Sequence, residues 1–126
     1  MKGIIAVFIG SGIGGVMRYV LGRVIQTYYS GAFPLATLLI NIFACLLLGV
    51  IIGYLDYKQL LSSRMQLFWA TGICGGFSTF STFSSENLTL YREGHYALLL
   101  LYVGLSVLLC FCATFGGLYL SQRVLN

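Results

Sequence analysis

Residues 75–84 read Gly-Gly-Phe-Ser-Thr-Phe-Ser-Thr-Phe-Ser, hydroxyls interleaved with phenyl rings in a stretch otherwise apolar enough to cross a membrane. Each hydroxyl is an O–H donor, and a polar group taken out of water needs a partner. On a helix turning 100° per residue, Ser78, Ser81, Thr82 and Ser85 gather on one side, while Phe77, Phe80 and Phe83 gather on another. A single Ser or Thr can satisfy itself on the carbonyl one turn back. A dense cluster segregated from a stripe of rings is harder to absorb in that way, and it offers a track of donors.

Other polar groups fall at comparable depth in apolar runs. Asn41 lies seven residues past Pro34, about 10 Å along a helix at 1.5 Å per residue. It is either glue between helices or a ligand lining a pore. Thr37 sits one turn before it on the same face. Tyr102, Ser106, Cys110 and Thr114 recur every fourth residue and form a thin polar line. With no acid near the middle of these runs, such a set suits an anion. Gly72, Gly75 and Gly76 weaken the helix just before the repeat. A break at membrane depth is tolerated only against protein or a water-filled cavity, and carbonyls freed there would suit a cation. Glu86, at the end of the run, reads as a solvated helix-end acid.

The elements that must carry these groups are membrane helices. Of 126 residues, 59% are hydrophobic and 8% charged, and the mean hydropathy is +0.93. A soluble domain has about a quarter of its residues charged. Runs long enough to span a hydrocarbon core of about 30 Å lie near 3–25, 33–55, 65–88 and 96–120, so 1–126 reads as one all-α membrane domain of four helices, the third broken near its middle. A cleaved signal peptide is the alternative for the first run, but no A-x-A site follows it. The formal charge of +4 comes from seven basic residues scattered over loops and helix ends, not from a patch. Lys2, Lys58, Arg64 and Arg123 share one side against Arg18, Arg23 and Arg92. That near-balance under the positive-inside rule permits insertion both ways up, hence an antiparallel dimer.

Gly10, Gly14 and Gly22 share a helix stripe with Arg18, a small-residue face suited to close packing. Arg18 itself, inside a span, either snorkels to the interface or lines an aqueous vestibule. Pro34 fits the first turn of the second helix, where no helical N–H is lost. Cys45, Cys74, Cys110 and Cys112 all lie in apolar runs without C-x-x-C spacing, which implies free thiols. With His95 alone in a loop, nothing supports catalysis, and no enzyme is expected.

Three motifs resemble the small bacterial fluoride channels of the Fluc, or CrcB, family. They are Gly-Ser-Gly-Ile-Gly-Gly-Val-Met-Arg-Tyr at 10–19, Thr-Leu-Leu-Ile-Asn at 37–41 and Gly-Ile-Cys-Gly-Gly-Phe-Ser-Thr-Phe-Ser-Thr-Phe at 72–83. The likeness runs through the whole chain in length, span count and motif order. It implies a passive, fluoride-selective exporter in the bacterial cytoplasmic (inner) membrane that protects the cell from fluoride, built as a dual-topology antiparallel homodimer with two pores. It further implies that Phe80 and Phe83 are pore rings, that Asn41 is the pore amide, and that Ser81, Thr82, Thr37 and Thr114 belong to the polar track. Arg18 would match the family's first-helix arginine. The resemblance also implies a structural Na⁺ at the dimer centre on the Gly75 and Ser78 carbonyls. Ala36 departs from the family's frequent Gly, and Phe77-Ser78 from its usual Thr-containing pair. A backbone contact at 78 is indifferent to Ser in place of Thr.

The chemistry fits the implied ion. Fluoride holds water strongly, so a pore must replace hydration with donors. Asn and hydroxyl groups supply them, and Phe rings present a positive edge. The main rival, a small four-span proton-coupled multidrug or guanidinium exporter, needs an embedded carboxylate. The first run offers Arg18 and no acid. A non-transporting tetraspan scaffold would leave the segregated stripes unexplained, and a thiol oxidase would need loop cysteines.

Overall fold

A computed structural model describes residues 1–59 and 63–125. Its helices are α1 (Lys2–Tyr28), α2 (Leu35–Tyr57), α3 (Ser63–Gln66), a π-helical stretch (Leu67–Cys74), α4 (Gly75–Phe77), α5 (Phe80–Arg92) and α6 (Tyr96–Leu125). Three of these, α1, α2 and α6, are long and apolar enough to cross a membrane. The third run is interrupted, as its glycines predict, at Ser78 and Thr79. It is delivered as α3, the π-helical stretch, α4 and α5, and the chain leaves helical geometry at Ser78 (φ −72, ψ 158) and Thr79 (φ −149, ψ 115). The single-helix angles that placed Ser78 with Ser81 and Thr82 therefore do not apply across this point. Ser78 lies in extended backbone, and only Ser81 onward follows α5.

Two close helix approaches hold the frame. α1 lies against the π-helical stretch, where Gly10 and Gly14 are buried. A Cβ on Gly10 would come within 2.9 Å of the Gly72 Cα, and one on Gly76 within 2.8 Å of the Ser11 Cα. The small-residue stripe of α1 thus packs backbone on backbone, as its spacing predicts, while Gly12 and Gly15 face open space. α2 and α6 form the second and more extensive pair. Gly49 is pressed on the Thr114 carbonyl and Gly117 on the Leu46 carbonyl. Pro34 immediately precedes α2, as expected, and the Leu38 N–H bonds its carbonyl at 3.2 Å.

The buried core is small and double. Leu38, Leu90 and Tyr102 form one cluster with Phe33 and Phe83 against it, and Ile40, Ala44 and Phe77 form the other beside Leu21 and Ile25. Large apolar side chains such as Phe8, Val16, Phe80, Phe111 and Phe115 are exposed, as lipid-facing or partner-facing surface requires.

A methyl group at the α2–α6 contact has nowhere to go. Gly49→Ala and Gly117→Ala each lower stability by about 1–3 kcal/mol, read as thermal unfolding in detergent. Gly22→Ala, whose Cβ would meet only the Ile40 Cδ1 at 3.5 Å, leaves the midpoint unchanged.

Candidate functional site: a cleft and a groove joined at a broken helix

The backbone break sets the site. Ser78 and Thr79 are extended; the Ser78 N–H still closes the preceding helix on the Cys74 carbonyl at 2.9 Å, and it is the next peptide group, with the Thr79 N–H, that falls outside the helical ladder. Asn41 of α2 takes up the slack at Thr79. The Thr79 N–H donates to Asn41 Oδ1 at 2.8 Å, and Asn41 Nδ2 donates to the Thr79 carbonyl at 3.2 Å. This two-point clamp fixes which way the amide faces, and it leaves the second Nδ2 hydrogen free of any described partner. Asn41 is therefore interhelical glue and still holds a donor in reserve. The two alternatives read from the sequence are not exclusive.

Thr79 then starts α5. Its hydroxyl oxygen accepts from the Thr82 N–H at 3.2 Å, an N-cap, and its hydrogen goes to Thr82 Oγ1 at 3.0 Å. Ser81 Oγ stands 3.4 Å from the same hydroxyl. Thr79 is absent from the candidates drawn from the sequence, because with the break expected at the glycines before it, Thr79 reads as one hydroxyl among several on the helix that follows. Extended geometry makes it the hub instead.

On one side of this hub is a cleft of about 240 Å³ between α2, the break, α5 and α6, whose polar lining is Asn41, Ser78, Thr79 and Ser106. Phe80 and Phe83 supply its rings, with centroids 5.4 Å apart. Phe80 is 78% exposed, so the cleft is open where this ring stands. The Ser106 hydroxyl is buried and has no hydrogen-bond partner, an unusual state for a buried donor. The four-residue line on α6 was the signal for Ser106.

On the other side is a more polar groove of about 500 Å³ between α1, α2 and α5, which includes Arg18, Arg23, Gln26, Thr37, Thr82 and Glu86. Thr79 belongs to both linings. Arg18 thus stands in the wall of a groove shared with the break, on the stripe of α1 that carries the packing glycines.

Glu86 differs from its reading as a solvated helix-end acid. It is half-buried, and both carboxylate oxygens are used. Thr37 Oγ1 donates to Oε1 at 2.7 Å and the Tyr102 hydroxyl donates to Oε2 at 2.7 Å. Tyr102 is fully buried and packed by Phe33 and Phe83, with centroids 5.5 and 4.9 Å away. The sequence could not pair these three, since they come from three helices.

Of the residues proposed from the sequence, Asn41, Phe80, Phe83 and Ser78 meet at the cleft, while Arg18, Thr37 and Thr82 meet at the groove. Thr37 spends its hydrogen on Glu86. Thr114 lies in neither lining and donates to the Cys110 carbonyl at 3.1 Å. Gly75 is exposed, three residues before Ser78. Among the described residues, no cluster of three His, Cys, Asp or Glu side chains forms. A hard cation here would rely on backbone and hydroxyl oxygens, which such ions accept, and the break turns backbone out of the ladder at Ser78.

Removing the clamp should be felt at once. Asn41→Ala leaves the Thr79 N–H without a partner, takes one bond from the Thr79 carbonyl and costs about 2 kcal/mol or more. Thermal unfolding and faster hydrogen exchange at the Thr79 amide report it, while amides in the α2–α6 contact keep their protection.

Comparison with known proteins gives the family. Residues 5–118 match the family model described as CrcB-like protein, Camphor Resistance (CrcB). The chain is 40% identical over 124 residues to the fluoride-specific ion channel FluC of Flavobacterium psychrophilum, covering 98% of this chain and 100% of that one. It is 42% identical over 123 residues to the protein of the same name from Pyrococcus furiosus, covering 98% of each. A third so named, from Bacteroides fragilis, is 38% identical over 126 residues. With a family model matched across nearly its whole length and relatives at this identity, the chain belongs to the CrcB family.

Proposed function

We infer that this chain is a passive, fluoride-selective channel of a cell membrane, as the names of its relatives suggest. The observation that carries this reading is the cleft at the break. It gathers the spare Asn41 N–H, the unpartnered Ser106 hydroxyl and the Phe80 and Phe83 rings, with no acid in its lining. These are groups that can replace an anion's water. The guanidinium of Arg18 in the adjoining groove would raise the local concentration of anions at the entrance. Thr82 and Ser81 stand at the threshold beside Thr79. Glu86 lies close to the route, and Thr37 and Tyr102 spread its charge through two short hydrogen bonds.

The ring pair suits selectivity. Phe80 and Phe83 offer weakly positive edges to an anion that has given up part of its water. An ion that binds several weak donors in turn can also leave, which conduction demands. Thr114 belongs to this track only if a further segment continues along α6 past Cys110.

The same reading includes a four-span topology, with α3 to α5 together forming the third crossing, and an antiparallel homodimer with two pores. Exposed Phe80, Val107 and Phe111 would be the apolar surface offered to a second copy, in a self-complementary contact about a two-fold axis. The Gly75 and Ser78 carbonyls of both copies would hold a central Na⁺, whose chemistry is to offset the carbonyl dipoles at two facing breaks. Export would lower internal fluoride and protect the cell; a bacterial inner membrane is the expected location. The inward position of Glu86 is the single observation that favours a proton-coupled cation exporter instead.

Fluoride efflux from liposomes separates these readings. Fast fluoride release with negligible chloride release supports the channel, whereas guanidinium uptake driven by a pH gradient supports the exporter. Phe80→Ile or Phe83→Ile should lower fluoride flux by about tenfold or more with the dimer intact, and normal flux in both removes the rings from the mechanism. Exhaustive exchange of Na⁺ for a large organic cation should abolish flux through both pores. Undiminished flux would count against the central ion.

A further inference from the structure

Two thiols share the cleft with the donors and rings described above. Cys45 lies one turn beyond Asn41 on α2, and Cys110 one turn beyond Ser106 on α6. Both are free and half-buried, both belong to the lining of the 240 Å³ cleft, and they lie one turn before Gly49 and Thr114 respectively, which press together across the α2–α6 contact. The other cysteines are placed differently. Cys74 is buried in the π-helical stretch, and Cys112 is exposed, two residues round α6 from Cys110.

Thiolates are soft ligands that select soft cations, in contrast to the oxygen ligands that hard cations take. Among the described residues, no third His, Cys, Asp or Glu joins the pair, which leaves out the four-ligand arrangement of structural zinc. Two facing thiolates suit a soft d10 cation that accepts two sulfurs in a line. We propose that Cys45 and Cys110 form a two-thiol site for a mercuric-type soft cation within the passage assigned above to fluoride, so that its occupancy plugs that passage. The site rests on that functional reading only for its effect on flux. Binding breaks two S–H bonds and forms two metal–sulfur bonds. Both protons leave to solvent, and no electron changes hands.

The test uses the full chain with Cys74→Ala and Cys112→Ala, which keeps only the pair, and mercuric chloride as the probe. One mercuric ion should bind per chain, with thiolate-to-metal absorption in the near ultraviolet. Adding Cys45→Ser or Cys110→Ser should abolish stoichiometric binding, and Cys→Ala versions stand in if either Ser variant fails to fold. Fluoride efflux from reconstituted vesicles should fall by about tenfold or more as the ion fills the narrow passage and recover with excess dithiothreitol. Absence of the absorption when only the pair remains, or its persistence after either Cys is replaced, overturns the site. Mercury bound to the pair with flux unchanged overturns its place in the passage. A chain that carries no fluoride at all defeats the channel reading, while the absorption and its loss in the variants still decide the thiol site.

Discussion

A helix interrupted at membrane depth leaves peptide groups that lipid cannot satisfy, and each one left unpaired costs several kcal/mol. In this chain the interruption is at Ser78 and Thr79, and one side chain from another helix meets it. Asn41 both accepts from and donates to Thr79, so the break persists only while α2 stays beside it. That requirement couples the site to the rest of the molecule. α2 is held by its close contact with α6, and the π-helical stretch before the break is held by the glycine face of α1. π-Helical geometry is rare and recurs at functional sites; here it leads into the break.

Polar groups in this molecule are used economically. Thr37 and Tyr102 are spent on the Glu86 carboxylate, Thr114 on a carbonyl of its own helix, and the Thr79 hydroxyl on capping α5. What remains unspent is informative. The buried Ser106 hydroxyl lacks a partner, and it lines the same cleft as Asn41, whose amide has one hydrogen to spare. A buried donor without an acceptor is costly to maintain, and an anion passing beside it would repay that cost.

Much of the fold was legible in the sequence because the bilayer imposes so strict a length and composition rule. The runs at 3–25, 33–55 and 96–120 became α1, α2 and α6; α1 and α6 extend past their apolar cores into the interface, and α2 keeps the length of its run, shifted two residues on because it starts after Pro34. Gly72, Gly75 and Gly76 marked the neighbourhood of the break, although not its residues. The site was less legible. Asn41, Phe80 and Phe83 stood out as types that are odd or repeated and Ser106 as one of a polar line on α6, yet Thr79 looked like its neighbours, and Glu86 looked like an ordinary helix-end acid.

Residue order alone determined that this chain is apolar, helical and rich in hydroxyls beside a glycine-weakened segment, since hydropathy, period and helix propensity are local properties. Tertiary structure decided which hydroxyls are spent and which are free. It brought Thr37, Glu86 and Tyr102 together from three helices and set Cys45 opposite Cys110. It also turned Thr79 from one polar residue in a repeat into the joint between a cleft and a groove. Those outcomes depend on where a helix stops and which helix lies across from it. No spacing along one strand of sequence encodes that, because a hydrogen bond between helices is settled by packing in three dimensions.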